Sequence, residues 1–410
     1  MEKNEQTPLT RSLILLLSIT CGVVVANMYY IQPIGTKVAT SLSVSTSAVG
    51  ILTMLTQLGY ALGLLFLVPL GDVVDRPKLI IRMAALSAIS LLAAFFAPSF
   101  TLFACASFLI GLLSIVPQII IPYGAVLAGP KARGKVMGTL LSGLLVGILL
   151  SRTVSGIVAS LFSWRMIYLF ALVLVAVLTG LLYWKMPRTT VATTKTVSYV
   201  DSLKSLPHLV RTQRLLREAA ISGFFMFGTF SIFWSTLIFY ISSPAYHWGT
   251  FEAGILAIFG LSGAVAAPIV GRLADSYSER KIVGMGLAMQ TISFIALFIA
   301  GDYLVVLLLA IILLDVGNQF GQVANQTRVQ GLGEAASNRN NTIFMFMYFI
   351  GGSAGSLLGT TMWQQYGWTG VTLAGIVFQL CAFFFQYVVF REKRIKYPSI
   401  DERPHFSKIS

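Results

Sequence analysis

Gly71-Asp72-Val73-Val74-Asp75-Arg76-Pro77-Lys78 is a short charged break between two apolar runs, near residues 47–70 and 79–97. The same glycine and acid recur as Gly271 and Asp275, again between two apolar runs, near residues 251–270 and 282–300. Trp164 is echoed by Trp368, and the Gly143–Gly147 spacing by Gly351, Gly355 and Gly359. Nearly constant offsets at matching places predict a parallel duplication of one unit. In a duplicated membrane unit, a shared site belongs near mid-depth, at the interface between the copies.

Working outward from that break, further apolar runs lie near residues 12–34, 100–122, 136–160, 166–186, 219–241, 303–323, 342–363 and 369–390. Each is long enough to cross a bilayer core as a helix. The runs are continuous rather than alternating, which excludes a β-barrel. With 56% hydrophobic and only 11% charged residues, the chain lacks the polar surface of a soluble domain of its length. The expectation is an all-α integral membrane fold, with twelve transmembrane helices in two pseudo-symmetric six-helix bundles. Residues 1–186 and 218–390 would form the bundles, 187–217 a cytoplasmic linker and 391–410 a cytoplasmic tail.

Charge orients the chain. If both ends face the cytoplasm, the basic residues concentrate in cytoplasmic segments, among them Arg76, Lys78, Arg82, Lys131, Arg133, Lys135 and the Arg- and Lys-rich stretch before residue 218. Only Lys37 and Arg165 fall outside, and Arg152 lies within a span. This asymmetry predicts an even number of spans with both termini inside. It also accounts for the formal net charge of +14 without invoking nucleic acid. The apolar N-terminal run reads as an uncleaved first span rather than a signal peptide. Cys21, Cys105 and Cys381 are scattered through apolar runs, and His208, His247 and His405 lie outside the spans, so neither a disulfide framework nor a metal site is expected.

The 71–78 segment resembles the loop motif of the major facilitator superfamily. Ala26-Asn27-Met28-Tyr29-Tyr30-Ile31-Gln32-Pro33, Arg152-Thr153-Val154-Ser155-Gly156 and Asn325-Gln326-Thr327-Arg328 resemble a bacterial branch grouped with the drug:proton antiporters. The resemblance covers essentially the whole chain and implies two bundles, a central cavity and alternating access in a bacterial inner membrane. It assigns gating to Gly71, Asp75, Arg76, Gly271 and Asp275 as a charged latch on one cytoplasmic gate. The chain departs from the pattern at Pro77-Lys78, at Pro117-Gln118 where many proton-coupled members carry an arginine, and at Ile148 where antiporters often place proline.

The residues themselves point to candidates. Asp315, Asn318, Gln319, Gln322 and Gln326 share one helical face, and a polar stripe at membrane depth should line a cavity or a helix seam. Asp315 is the only carboxylate well inside a predicted span. Burial penalises its charged form, which makes it a candidate proton carrier. Arg152 is a candidate counter-ion for Asp315 or a contact for an anionic substrate, although an arginine near a span end can also reach toward headgroups. Asn27, Tyr30, Gln57 and Gln118 are further candidates for the cavity lining, with Gln32 and Tyr60 beside them. The aromatic stretches are expected to face lipid or pack against other helices. The small-residue ridges predict close helix packing.

No nucleotide-binding loop, selectivity filter or metal-ligand cluster is present in the sequence, which argues against an ATP-driven pump, a channel, a membrane protease or any other enzyme. The expected function is secondary transport, with proton-coupled export of small amphiphilic or drug-like compounds leading. A specific metabolite such as a sugar or amino acid is the alternative, and a ligand-binding sensor is more remote. The expected partners are a small-molecule substrate, protons and the lipid bilayer. No nucleic acid and no cofactor are expected, and the working unit would be a monomer.

Overall fold

A computed structural model describes residues 10–187, 199–273, 277–332 and 337–391, and these residues contain helices and turns but no strands. The helices are α1 (Arg11–Ala26), α2 (Gly35–Leu42), α3 (Thr46–Phe66), α4 (Arg76–Phe96), α5 (Phe100–Leu113), α6 (Val116–Leu127), α7 (Gly129–Leu161) and α8 (Met166–Lys185). After these come α9 (Tyr199–Thr212), α10 (Arg214–Ile241), α11 (Thr250–Phe259), α12 (Leu261–Leu273), α13 (Glu279–Ala300), α14 (Leu304–Gln330) and α15 (Ser337–Phe384).

Ten helical stretches are long and apolar enough to span a bilayer. One of them, Ser337–Val389, is two crossings, because Gly367 leaves helical geometry at φ 59° and ψ −150°. The shorter α1 is completed by α2, which makes twelve crossings. The breaks have local causes. Pro33 supplies no N–H, so the first span tightens into bonds such as Gln32 N to Tyr29 O (3.2 Å) before α2 resumes. Ser114 and Pro117 separate α5 from α6, and Pro122 bends α6. Side-chain caps open α1, α3 and α5, with Thr10, Ser45 and Ser99 accepting from Leu13, Ala48 and Leu102 N–H groups.

The predicted glycine ridges pack as matched pairs. A Cβ at Gly147 would lie 2.1 Å from Gly22 O, and one at Gly143 would lie 2.3 Å from Ser18 O, so α7 presses backbone to backbone on α1. In the second half, a Cβ at Gly351 would lie 2.0 Å from Phe224 O and one at Gly355 2.1 Å from Gly228 O, pressing α15 onto α10. Spans 1 and 5 thus repeat as spans 7 and 11, which is the duplication read from the sequence, now in three dimensions. In lipid, where apolar burial contributes little between helices, such close approach is the main source of attraction.

Alternate helices bring the described chain ends, Gly71 and Arg76 to one side, here termed the basic end. There Arg214 Nη2 donates to Arg391 O (2.8 Å). At the opposite, far end the halves meet closely. Ser47 N donates to Gln364 Oε1 (3.3 Å), and Thr153 Oγ1 donates to Gly254 O (2.8 Å). Gly50 faces Thr360, and Gly156 faces Thr250 and Gly254, with no room for a side chain at either glycine. Toward the basic end the halves part around a cavity of about 480 Å³. Within the linker, α9 leans across the mouth of this cavity. Tyr199 OH donates to Phe66 O (3.0 Å) on one half, and Ser205 accepts from Arg339 Nη1 (2.8 Å) on the other.

Candidate functional site

The cavity is a vestibule whose wall includes Gln118, Arg133, Gln326, Gln330, Asn341 and Met345. Pro122 lacks the N–H that would bond Gln118 O, so the helix is polar on this side of its own backbone as well as at its side chain. Gln118 Nε2 donates to Tyr60 OH (3.0 Å), and the Tyr60 ring packs 4.3 Å from Phe349 of the other half. This aromatic pair crosses the boundary between the halves beside the vestibule.

Polar groups continue within the closed seam. Asn318 Nδ2 donates to Tyr348 OH (2.9 Å), which in turn reaches Gln322 Oε1 (3.2 Å). Gln57 Nε2 spans to Ser231 and Ser356 (3.4 Å each), joining the first half to α10 and α15, while its Oε1 has no partner. Gln326 Nε2 donates to Asn341 Oδ1 (3.0 Å) at the vestibule. Gln319 departs from its stripe and lies against α12, 3.2 Å from where a Cβ on Gly263 would stand.

Deepest in the seam is a charged constellation. Trp234 Nε1 of α10 donates to Asp315 Oδ2 of α14 (3.2 Å). The guanidinium of Arg152, from α7 in the other half, lies 4.3 Å from the centre of the same Trp234 ring. Arg152 also faces Tyr29 at 4.9 Å and Phe230 at 5.6 Å, and its Nε donates to Gln32 Oε1 (2.6 Å). Arg152 is 2% exposed and Asp315 5%, so both charges are out of water. They form no ion pair within 4 Å; the indole mediates between them. Asn27 is buried on the broken first span with neither amide atom partnered. Tyr30 is buried too, and its carbonyl accepts from Ser155 Oγ (2.6 Å), which pins the break to α7.

Sequence reasoning missed Trp234, Tyr348 and the ring faces on Arg152. One signal was available: Trp234 lies inside an apolar run, where an indole N–H must find an acceptor. It also missed Glu218, buried at the start of α10 and paired with Arg280 (3.3 Å) and Arg328 (3.1 Å). Among the aromatic stretches, Phe344 and Phe349 are buried against other helices whereas Phe384 is exposed. Among the described residues, no three His, Cys, Asp or Glu side chains come together as a metal site.

The model of the Major Facilitator Superfamily matches residues 17–356 and 245–409. The chain belongs to the major facilitator superfamily. It is similar to the uncharacterized transporter YgaY of Escherichia coli O157:H7, with 37% identity over 91% of this chain and 94% of that protein. It is also similar to the protein named Probable transporter SCO4007 of Streptomyces coelicolor, with 29% identity over 87% of this chain and 82% of that one. Among solved structures, the nucleoside transporter NupG superposes with a TM-score of 0.76 at 14% identity, covering 93% of this chain and 99% of its own. A bacterial homolog of the lysosomal transporter Spinster, titled inward-facing and unoccupied, gives 0.75 at 14% identity over 95% and 98%. These two likenesses concern the fold.

As a major facilitator, the chain is a multi-pass secondary membrane transporter. The loop candidates sit at the vestibule mouth: Gly71 and Arg76 both line it, and Arg76 Nε donates to Gly71 O (2.8 Å). Asp75 stands at the N-cap position of α4, 3.4 Å from Lys78 Nζ. Gly271 has open space where a side chain would be, and Asp275 lies outside the described residues.

Proposed function

We propose that the protein is a proton-coupled transporter of small amphiphilic organic compounds, with Asp315 as the proton site and export as its direction. The observation that carries this reading is that Asp315 and Arg152 come from opposite halves and meet at one indole, Trp234, the acid at its N–H edge and the guanidinium over its face. Alternating access must part these halves at the far end. That movement takes both charges from a dry seam into water and changes the cost of ionising the acid. Protonation is therefore tied to which end is open, and this is what coupling requires.

The basic asymmetry supports reading the open vestibule as cytoplasmic. A compound loaded from that side enters past Gly71 and Arg76, with α9 across part of the mouth. Gln118, Gln326 and Asn341 in the vestibule wall offer hydrogen bonds to a polar end, and Tyr60, Phe349 and Tyr348, packed just beyond that wall, would offer aromatic faces to an apolar body once the seam parts. The amide-rich wall favours a second reading, a polar metabolite such as a sugar or amino acid.

Reconstituted liposomes separate these ideas. A pH gradient should drive accumulation of amphiphilic compounds by wild type. In Asp315→Asn the gradient should have no effect, while exchange of labelled for unlabelled compound without a gradient continues. Gradient-driven accumulation by the variant at the wild-type rate would remove Asp315 from coupling. Accumulation of sugars or amino acids in place of amphiphiles would favour the second reading.

A further inference from the structure

Arg152 is incompletely satisfied for a buried cation. Its Nε is taken by Gln32 and three rings cover its faces, but Nη2 has no hydrogen-bond partner. No carboxylate of the described residues lies within ion-pair distance, because Asp315 is held by the Trp234 indole instead. Aromatic faces recover only part of what the lost hydration of a guanidinium costs. Arg152 lines a recess of about 10 Å³ with Gln32, Pro33, Trp234, Leu237, Ile238 and Ala253, so a bulkier group enters here only as the halves part. On the same broken first span, the Asn27 amide is buried with both atoms unpartnered.

We propose that Arg152 anchors the carboxylate of an aromatic or aliphatic monocarboxylate substrate, and that this anion and the proton on Asp315 bind together. The inference rests on the reading of Asp315 as the proton site and adds the substrate's charge to it. Net charge in the seam decides the coupling. Empty, with Asp315 ionised, the site is neutral; loaded with a monocarboxylate and with Asp315 protonated, it is neutral again. The two mixed states each leave one uncompensated charge in a site shut off from water, and both are penalised. A lipophilic cation leaves excess positive charge beside Arg152 whatever the state of Asp315. The other titratable groups nearby are Tyr29 beside Arg152 and Tyr348, linked to α14 through Asn318; both are phenols and carry no charge to upset this balance. The acid therefore crosses with its proton as a neutral load, outward only when the acid's outward gradient exceeds the opposing proton gradient.

Three matched probes test this: 3-phenylpropionate, its amide and the corresponding amine. Binding to purified protein in nanodiscs would be measured by calorimetry in two buffers of different ionisation enthalpy, which reads protons taken up. Wild type should bind the carboxylate at least about tenfold more tightly than the amide, with uptake of about one proton. Arg152→Gln should erase that preference, and Arg152→Lys, which keeps the charge, should retain part of it and so control for misfolding. Asp315→Asn should bind the carboxylate without proton uptake. Tightest binding of the amine, no carboxylate binding by wild type up to about 10 mM, or an unchanged preference in Arg152→Gln would each overturn the proposal. Proton uptake persisting in Asp315→Asn would instead sink the reading of Asp315 and leave the anion site standing.

Discussion

The two ends of the molecule are built from the same duplicated helices, yet one is shut and the other open. At the far end closure relies on glycines: Gly50 receives the Thr360 side chain, and Gly156 against Gly254 brings backbones together. At the basic end long polar and cationic residues, among them Arg133, Gln326 and Gln330, stand around an open vestibule. The lesson is that the far-end seal depends on small contact surfaces and can be undone by one added side chain. The basic end is held by charge. Its firmest point is within the second half, where Glu218 ties α10 to Arg280 of α13 and Arg328 of α14.

The largest effect on this contrast should come from Glu218→Gln. It removes the carboxylate shared by two partly buried guanidiniums, which keep acceptors at Gln386 O, Phe390 O and Asn325 Oδ1, at a cost of about 3 kcal/mol. Thermal unfolding of the purified protein should shift well downward, and an unchanged midpoint would show that the cluster is not a fastening. Next is Gly156→Leu, whose Cβ would lie 2.4 Å from Thr250 O. Overpacking by about 1–3 kcal/mol should favour far-end opening while leaving the fold intact. In a cysteine-free background carrying Thr360→Cys, a membrane-impermeant maleimide added from the far side should label faster in the double variant. Equal labelling would mean that this glycine contact does not set the seal.

Trp234→Phe is expected to be milder. It keeps a ring on Arg152 and removes the donor to Asp315, a loss of about 1.5 kcal/mol for a hydrogen bond to an ionised acceptor. The same Thr360→Cys assay should detect a smaller rise in labelling than with Gly156→Leu. Lys37→Ala should do least. Lys37 Nζ donates to Ala159 O at the C-terminus of α7, and Arg165 Nη2 likewise reaches Ala97 O (2.8 Å) just beyond α4. Each is worth about 0.3–1 kcal/mol, so the unfolding midpoint should move only slightly. Among the described residues, Lys37 and Arg165 are the only lysine or arginine side chains at the far end outside the buried seam, and both compensate helix C-termini.

Much of the site was legible by position but not by partner. Asp315 and Arg152 stood out because a charge inside an apolar run is costly, and both are buried in the seam. The polar stripe was legible as far as Asn318 and Gln322, yet Gln319 turned toward α12, because a helical face is wide enough to meet two neighbours. Glu218 escaped notice because it lies at the edge of its apolar run, where a carboxylate normally reaches water. Only folding brings Arg280 and Arg328 over it.

The sequence by itself determined the twelve crossings and their duplication, while the breaks within the first and fourth crossings emerged only in the structure. Hydropathy, proline and glycine act over one helix at a time, and lipid forces each segment to satisfy its own backbone. Charge asymmetry along the same chain supplied the expectation for sidedness. Tertiary structure decided which end is shut, and that Trp234 stands between Asp315 and Arg152. It also decided that Gln32 reaches Arg152 across 120 residues and that Ser155 reaches Tyr30 across 125. Those pairings depend on how helices rotate and approach on their glycine faces, a property of packed surfaces that no single segment carries.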